Sequence, residues 1–191
     1  MSEAPRYDGF DELRVAGLTL RGITQGGVET CLMVPELKVM FDVGRCPPGC
    51  KKFDNILVSH GHSDHLGGLP YLVSQRAMNK QKGPRVHLPE EIVDPLQRIL
   101  DAWREIEQFE PPVTLVPRKP GDTFSLSKNL RGQALRTTHR VPSLAYVITR
   151  ESRRLKPEYA GRDGGELRDL RQQGVPITEA CPAENATMED R

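Results

Sequence analysis

Three of the five histidines in this sequence lie within one stretch of six residues, together with an aspartate. The segment 59–65 reads Ser-His-Gly-His-Ser-Asp-His and follows the apolar run 56–58. Imidazole and carboxylate groups are ligands that Zn²⁺ prefers, and Mn²⁺ and Fe²⁺ use the same groups. Because side chains alternate along a strand, His60 and His62 can point to the same side where the strand ends. The segment therefore predicts a metal site.

Asp64 and His65 lie on the turn that follows, where they can reach a second metal ion. Two cations a few ångströms apart can activate a water molecule and neutralise the charge that develops on a phosphodiester. Gly67 and Gly68 allow the backbone to approach closely before a helix begins, and a helix N-terminus favours an anionic substrate. These residues therefore fit metal-assisted hydrolysis, and a phosphodiester is one substrate that such a site can cleave.

The residues around this segment must form elements that hold it in place. Short apolar and β-branched runs bounded by Gly, Pro or Asp predict strands at 30–34, 38–41 and 55–58, after a hairpin over 13–20. A change to helical spacing from residue 69 onward predicts a helix directly after the metal segment.

A longer helix is predicted to begin with Asp94 as its N-cap and Pro95 in the first helical position. Its apolar residues form one stripe that includes Trp103, which we expect to pack in the core. Strands resume at 113–116, 134–138 and 144–149. This order of elements predicts a mixed α/β (α+β) fold with a substantial sheet.

The motif resembles those of the metallo-β-lactamase-fold hydrolases, and within them the ribonuclease Z branch. The resemblance rests on residues 59–68, on Asp42 within the segment 41–44, and on the segment 138–146 around His139. It implies an αββα sandwich with the metal ions at one edge of the paired sheets.

The resemblance also implies a role for each site residue. One metal ion is assigned to three histidines, His60, His62 and His139. Asp64 and His65 contribute to a second ion, and Asp64 is also the catalytic base, since a carboxylate beside metal ions is ionised and can accept a proton. Asp42 orients a ligand histidine through its other ring nitrogen. The cofactor implied is Zn²⁺ in a two-metal site, with Mn²⁺ and Fe²⁺ as alternatives.

Two features of the family pattern, a metal-bridging aspartate and a final histidine beyond His139, have no counterpart in this sequence. The segment 121–123 reads Gly-Asp-Thr, but it precedes His139 and predicts a turn. Recruitment of another aspartate stays open, the candidates being Asp163, Asp169 and Asp190. We therefore expect a single metallo-β-lactamase-like domain over 1–191 that lacks much of the second half of the fold, with disorder from about 179 to 191.

A basic cluster follows the third motif: Arg150, Arg153, Arg154 and Lys156. Four such residues could contact RNA phosphates, or they could form a solvated face. Ser143, inside the third motif, is another candidate for substrate binding. The partner that the resemblance implies is RNA of the tRNA-precursor type, and a homodimer stays open.

The composition excludes several classes of protein. With 27 Lys and Arg against 26 Asp and Glu, the chain is not a generally basic, phosphate-coating protein. It contains no apolar stretch of about 18 residues, so we expect no membrane span. The first residues resemble neither a secretory signal nor a transit peptide. Together with the four cysteines of the whole chain, this predicts a cytoplasmic protein with free thiols.

The function that the sequence predicts is metal-dependent phosphodiester cleavage in RNA, of the type that processes tRNA 3′ ends. Two alternatives stay open. A lactonase or thioesterase on the same fold is one, because the metal ligands alone do not choose the substrate. A non-catalytic, truncated homologue is the other, because the bridging aspartate and the final histidine have no counterpart.

Overall fold

The computed structural model describes residues 10–151, 153–180 and 184–188. Contacts within the chain group its residues into two compact units. The first contains Met1–Asp122 and Ala134–Tyr146 as far as they are described, and the second contains Thr123–Gln133 and Val147–Met188. The single domain that the sequence predicts over 1–191 stays a prediction.

A seven-stranded sheet lies in the first unit, with its strands in chain order. The strands are β1 (Asp11–Val15), β2 (Leu18–Gln25), β3 (Glu29–Val34), β4 (Val39–Phe41), β5 (Asn55–Leu57), β6 (Arg85–Pro89) and β7 (Thr114–Arg118). The first four strands pair in antiparallel fashion, and β4 to β7 pair in parallel. The strands predicted before the metal segment are thus confirmed, including the hairpin over 13–20.

Parallel pairing requires crossover connections, and three helices lie in those that follow β5 and β6. The single turn α1 (Ser63–Leu66) and the longer α2 (Leu69–Met78) follow β5, and α3 (Val93–Glu107) follows β6. The helix predicted directly after the metal segment is therefore present, split into α1 and α2. Apolar side chains of α2 and α3 join those of the sheet in one buried cluster, which includes Met40, Ile56 and Leu88.

The prediction for α3 was wrong in two respects. The N-cap is Ile92, not Asp94, because a 3₁₀ turn at Glu90–Ile92 leads directly into the helix, and no side chain caps it. Trp103 is 39% exposed and does not lie in the core. The buried residues of α3 are Leu96 and Leu100, which lie about 40° apart around the helix axis. Trp103 lies at the edge of this buried face.

The second unit contains a four-stranded sheet in the order β13-β10-β9-β8. Its strands are β8 (Thr123–Ser127), β9 (Leu130–Arg136), β10 (Leu144–Arg150) and β13 (Glu184–Met188), and the ends of β9 and β10 belong to the first unit. A two-stranded sheet pairs β11 (Arg153–Leu155) with β12 (Thr178–Ala180), and α4 (Gly164–Gln172) lies between them in the chain. The mixed α/β fold class is confirmed.

The end of the chain differs from the disordered tail predicted from about 179. Strand β12 reaches Ala180, and residues 184–188 form β13, while residues 181–183 and 189–191 lie outside the described part. None of the helices in the described residues is both long and apolar enough to cross a membrane.

Candidate metal centre

The end of strand β5 and the start of β10 bring the two histidine-bearing segments together within the first unit. The backbone N–H of Leu144 donates to the carbonyl oxygen of Ser59 at 2.9 Å, and His60 and Ser143 form an isolated antiparallel bridge. The loop between β9 and β10 carries His139, so this pairing places His139 beside the metal segment.

The ring nitrogens of His60, His62 and His139 lie within 4.8 Å of one another. Nε2 of His60 is 3.0 Å from Nδ1 of His62, and the ring centroids of His60 and His139 are 4.4 Å apart. Burial, followed by the neighbouring histidines, lowers the pKa of His60 to about 4. Its imidazole is therefore neutral at pH 7, as metal ligation requires. The donor set fits a divalent metal ion.

A second pair of donors lies next to this triad. Nδ1 of His65 is 2.8 Å from Oδ2 of Asp42, which leaves Nε2 of His65 on the other side of the ring. That nitrogen is 3.6 Å from Oδ2 of Asp64, and the His65 ring centroid is 4.0 Å from that of His60. Asp64 and His65 thus lie beside the triad, and a second metal ion held by them stays a prediction.

Asp64 is held from the opposite direction by the turn between β2 and β3. The backbone N–H of Gly27 donates to Oδ2 of Asp64 at 2.8 Å. Burial alone would raise the pKa of Asp64, but this hydrogen bond and the charge of His65 outweigh it and hold the pKa below its ordinary value. Asp64 is therefore a carboxylate at neutral pH.

Asp42 is buried and has an unusual backbone conformation. Its Oδ1 accepts hydrogen bonds from the backbone N–H of Ser59 at 2.7 Å and from the Ser59 hydroxyl at 3.1 Å. Burial raises the pKa of Asp42, and the contacts with His65 and Ser59 oppose that shift. Its φ of 55° lies in the left-handed region, which costs a residue other than glycine about 1–2 kcal/mol.

At two positions around the site, backbone segments pass so close to each other that only glycine fits. A Cβ on Gly44 would lie 2.1 Å from the carbonyl oxygen of Asp64, and one on Gly68 would lie 2.5 Å from the backbone nitrogen of Cys46. These contacts pack the loop after Asp42 against α1, where the N–H of Val43 donates to the carbonyl oxygen of His65 at 2.7 Å. The predicted close approach at Gly68 is confirmed.

The site opens into a cavity of about 450 Å³. This volume lies in the range of about 300–1,000 Å³ that is usual for ligand sites. Ser143 lies in its wall, with its hydroxyl 2.6 Å from that of Thr137. The other lining residues are Thr24, Gly26, Thr30, Ser59, His60, His62, Asp64, His65, Thr138, His139 and Leu144.

The basic cluster predicted after the third motif lies in the second unit. Nε of Arg154 pairs with Glu179 at 2.7 Å, and Nζ of Lys156 lies 3.8 Å from Glu158. Arg150 is half-buried, and the side chain of Arg153 lies outside the described part. Substrate binding by this cluster stays a prediction.

The candidates for a recruited aspartate have other roles or lie outside the described residues. Asp163 caps α4 by accepting from the backbone N–H groups of Gly165 and Glu166, and Asp169 lies within that helix. Asp190 is not among the described residues. Asp122 accepts from the N–H of Lys119 at 2.9 Å, which confirms the predicted turn at 121–123.

The remaining histidine and the cysteines lie outside the donor set. His87 is buried in β6, where its Nδ1 accepts from Arg118 at 3.1 Å, as expected of a core histidine. Cys31, Cys46 and Cys50 are free thiols, and the sulfur atoms of Cys31 and Cys50 lie 3.4 Å apart. Cys181 lies outside the described part.

Known proteins match most of this chain. Nuclear ribonuclease Z of Triticum aestivum is 37% identical over 166 residues, which span 87% of this chain and 94% of that protein. The chain belongs to the ribonuclease Z family. Within the same family, tRNase Z TRZ1 of Arabidopsis thaliana is 34% identical over 168 residues, but the chain spans only 60% of the length of TRZ1.

This ribonuclease Z-family chain also matches a family model and a solved structure. The family model described as Anti-Pycsar protein Apyc1 matches residues 39–154. That segment contains the candidate metal ligands His60, His62, Asp64, His65 and His139. YhfI of Bacillus subtilis, a metallo-β-lactamase fold protein, aligns with 65% of this chain and 52% of its own, with a TM-score of 0.51 and 13% identity. At that identity the likeness shows the fold alone. The resemblance read from the motifs is confirmed.

Two elements of the site were missed by sequence reasoning. Gly27 lies in an ordinary turn sequence, and nothing local indicates that its N–H reaches Asp64, 37 positions further on. Thr137 precedes the quoted third motif, although its hydroxyl meets that of Ser143.

Proposed function

We propose that this chain is a metal-dependent phosphodiesterase that cleaves RNA of the tRNA-precursor type, with Zn²⁺, Mn²⁺ or Fe²⁺ as its cofactor. The observation that carries the proposal is the convergence of His60, His62 and His139 beside Asp64 and His65. The relatives named ribonuclease Z and tRNase Z support RNA as the substrate class.

Each residue has a defined role in this proposal, and Asp64 has two. His60, His62 and His139 hold one metal ion, and Asp64 and His65 hold the other. The bound ions supply Lewis acidity that activates water and neutralises charge on the phosphate. Asp42 positions His65 through the 2.8 Å contact with Nδ1, which points Nε2 toward the site.

Asp64 acts as the general base. Its depressed pKa keeps it ionised, and it accepts a proton as the water oxygen attacks phosphorus. The bond between phosphorus and the leaving oxygen breaks, and the leaving oxygen takes up the proton that Asp64 accepted from the water, which returns Asp64 to its ionised form. Ser143, whose hydroxyl lies in the cavity wall, binds the substrate in this proposal.

The test combines metal removal with a choice of substrates. The protein is stripped with a chelator, reloaded with Zn²⁺ or Mn²⁺, and assayed on an aryl phosphodiester, a precursor tRNA and an aryl lactone. We expect metal-dependent cleavage of the first two and none of the lactone. Lactone cleavage alone would support the lactonase alternative, and a protein that neither binds metal nor cleaves any of the three would be a non-catalytic homologue.

The assembly and location of the protein are also proposals. The relatives differ in length: this chain spans 94% of the wheat protein but 60% of TRZ1. We propose a homodimer in the cytoplasm, checked by sedimentation of the purified protein and by imaging of a tagged chain. The names of the relatives include nuclear and chloroplastic forms, so imaging must discriminate these compartments.

A further inference from the structure

A second cavity, of about 290 Å³, adjoins the metal cavity within the first unit. The two cavities share four lining residues, Thr137, His139, Ser143 and Leu144. His139 belongs to the donor set, so a ligand in the second cavity lies directly beside a group bound at the metal centre. The two cavities are therefore immediate neighbours on this unit.

Two arginines line this second cavity. Arg136 ends strand β9 and Arg140 follows His139, and both side chains are exposed. Within the described residues neither guanidinium makes an ion pair, whereas Arg131 pairs with Glu151 at 2.9 Å and Arg154 pairs with Glu179. Guanidinium groups free of carboxylate partners bind phosphate in a bidentate manner. The charge of the cavity therefore favours an anionic ligand.

The loop that carries Arg140 is held at its base. The Thr137 and Ser143 hydroxyls form a 2.6 Å hydrogen bond across the loop, and Leu144 is hydrogen-bonded to Ser59. Pro142 restricts the backbone before Ser143, and Pro120 and Pro89 form part of the opposite lining. Arg140 thus projects from a short, closed loop next to the metal donors.

One carboxylate limits what this cavity accepts. Glu91 lines it together with the two arginines. A carboxylate repels phosphate but accepts a hydrogen bond from a sugar hydroxyl, and the ribose 2′-hydroxyl is the group that distinguishes RNA from DNA. Two guanidiniums and one carboxylate therefore match a ribonucleotide, whose phosphate and hydroxyl need opposite partners.

We propose that the cavity lined by Arg136 and Arg140 is a subsite for the nucleotide next to the scissile phosphate. The two arginines bind its phosphate, and Glu91 accepts from its 2′-hydroxyl. This subsite rests on the proposed phosphodiesterase function. It binds a neighbouring nucleotide, which an RNA chain contains and a small phosphodiester lacks. It differs from the basic cluster around Arg154, which lies in the second unit and is partly paired.

The test uses Arg140→Gln and Arg136→Gln, with Arg98→Gln as the matched control. Arg98 is an exposed arginine of α3 that makes no ion pair within the described residues and does not line the cavity. Each variant is assayed on a short single-stranded oligoribonucleotide and on bis(p-nitrophenyl) phosphate. Metal content is measured in parallel.

We expect each cavity variant to lose about 10-fold in kcat/KM on the oligonucleotide, chiefly through KM. Turnover of the small diester and metal content should match the wild type, and Arg98→Gln should change neither substrate. Oligonucleotide binding should lose a salt slope of about 0.7 for each phosphate contact removed. Glu91→Gln should reduce the preference for RNA over the matching DNA.

Two results would overturn the subsite. One is an unchanged oligonucleotide KM and salt slope in both cavity variants; the other is an equal loss on the small diester, which would mean that the arginines support the metal centre. Failure of the proposed function looks different, because the wild-type protein would then cleave neither substrate when loaded with metal.

Discussion

The two segments that supply the histidines are held very differently. In segment 59–65, Asp42 and Ser59 fix the ring of His65, the turn at Gly27 fixes Asp64, and His60 is buried. His139, by contrast, is exposed, and its Nδ1 receives only a long, 3.4 Å hydrogen bond from the N–H of Val141. Segment 59–65 is thus held by hydrogen bonds to a buried carboxylate and a neighbouring turn, whereas His139 lies on an exposed part of its loop.

The largest expected effect comes from segment 59–65. His62→Ala removes one of the three histidines proposed to hold one metal ion, and the other histidines nearby already have their own places in the proposed site. We expect elemental analysis after dialysis to find that ion lost, and activity with it. His87→Asn is the control, because Asn can still accept from Arg118; it should retain wild-type metal content. Loss of metal in the control but not in His62→Ala would refute the assignment of the site.

The second prediction separates a donor from the residue that orients one. Asp42→Asn keeps the size of the side chain and should lower metal affinity by about 10- to 100-fold. Asp64→Asn removes both a donor and the proposed base, so its kcat should fall further at saturating metal. Titration calorimetry and single-turnover assays measure the two effects. Equal losses in kcat would argue against a direct role for Asp64.

The third prediction tests the contrast between the segments directly. The N–H of Ser59 is bonded to a buried carboxylate, so its hydrogen exchange should be slow with or without metal. The N–H of Val141 should exchange rapidly in the metal-free protein and at least about 10-fold more slowly after Zn²⁺ is added. Exchange measured residue by residue checks both, and an equally protected Val141 in both states would remove the distinction.

The effect that is smallest at neutral pH concerns His87, the histidine that belongs to neither segment. Burial, followed by the charges of Arg118 and Arg85, lowers the pKa of His87 to about 3. The unfolded chain therefore binds a proton below pH of about 6.5 that the folded protein does not bind until about pH 3. The free energy of unfolding should fall with decreasing pH across this interval, by at most about 1.4 kcal/mol for each pH unit from this group.

Denaturant titrations of wild type and His87→Asn at several pH values isolate that contribution. Other histidines, such as His60, titrate in both proteins, so the difference between the two curves reports on His87 alone. The variant should show the shallower dependence between about pH 3 and 6.5. Parallel curves would show that the buried imidazole does not resist protonation.

Local patterns predicted the elements around the metal segment well. Strands β3 to β5 were found because each is a short apolar run bounded by turn residues, and α2 because its apolar spacing is helical. The donors at 60–65 were found because they are adjacent in the sequence. His139 was found only through resemblance, since no local property links it to residues 79 positions earlier.

The rest depends on contacts between distant residues. Asp94 has the character of an N-cap, but the chain is already helical from Glu90, so tertiary placement of that turn set the start of α3. The reach of Gly27 to Asp64 depends on how the β2–β3 turn packs, and the pairing of Ser59 with Leu144 depends on the fold as a whole. Sequence periodicity contains no information on such pairs.

The left-handed backbone at Asp42 has a consequence for the design of variants. Glycine would adopt a φ of 55° without the strain that aspartate carries there, and it would remove a buried carboxylate that folding must desolvate. It would also leave the N–H of Ser59 without its acceptor and the ring of His65 without its partner. A screen for stability and a screen for metal binding should therefore rank substitutions at this position differently.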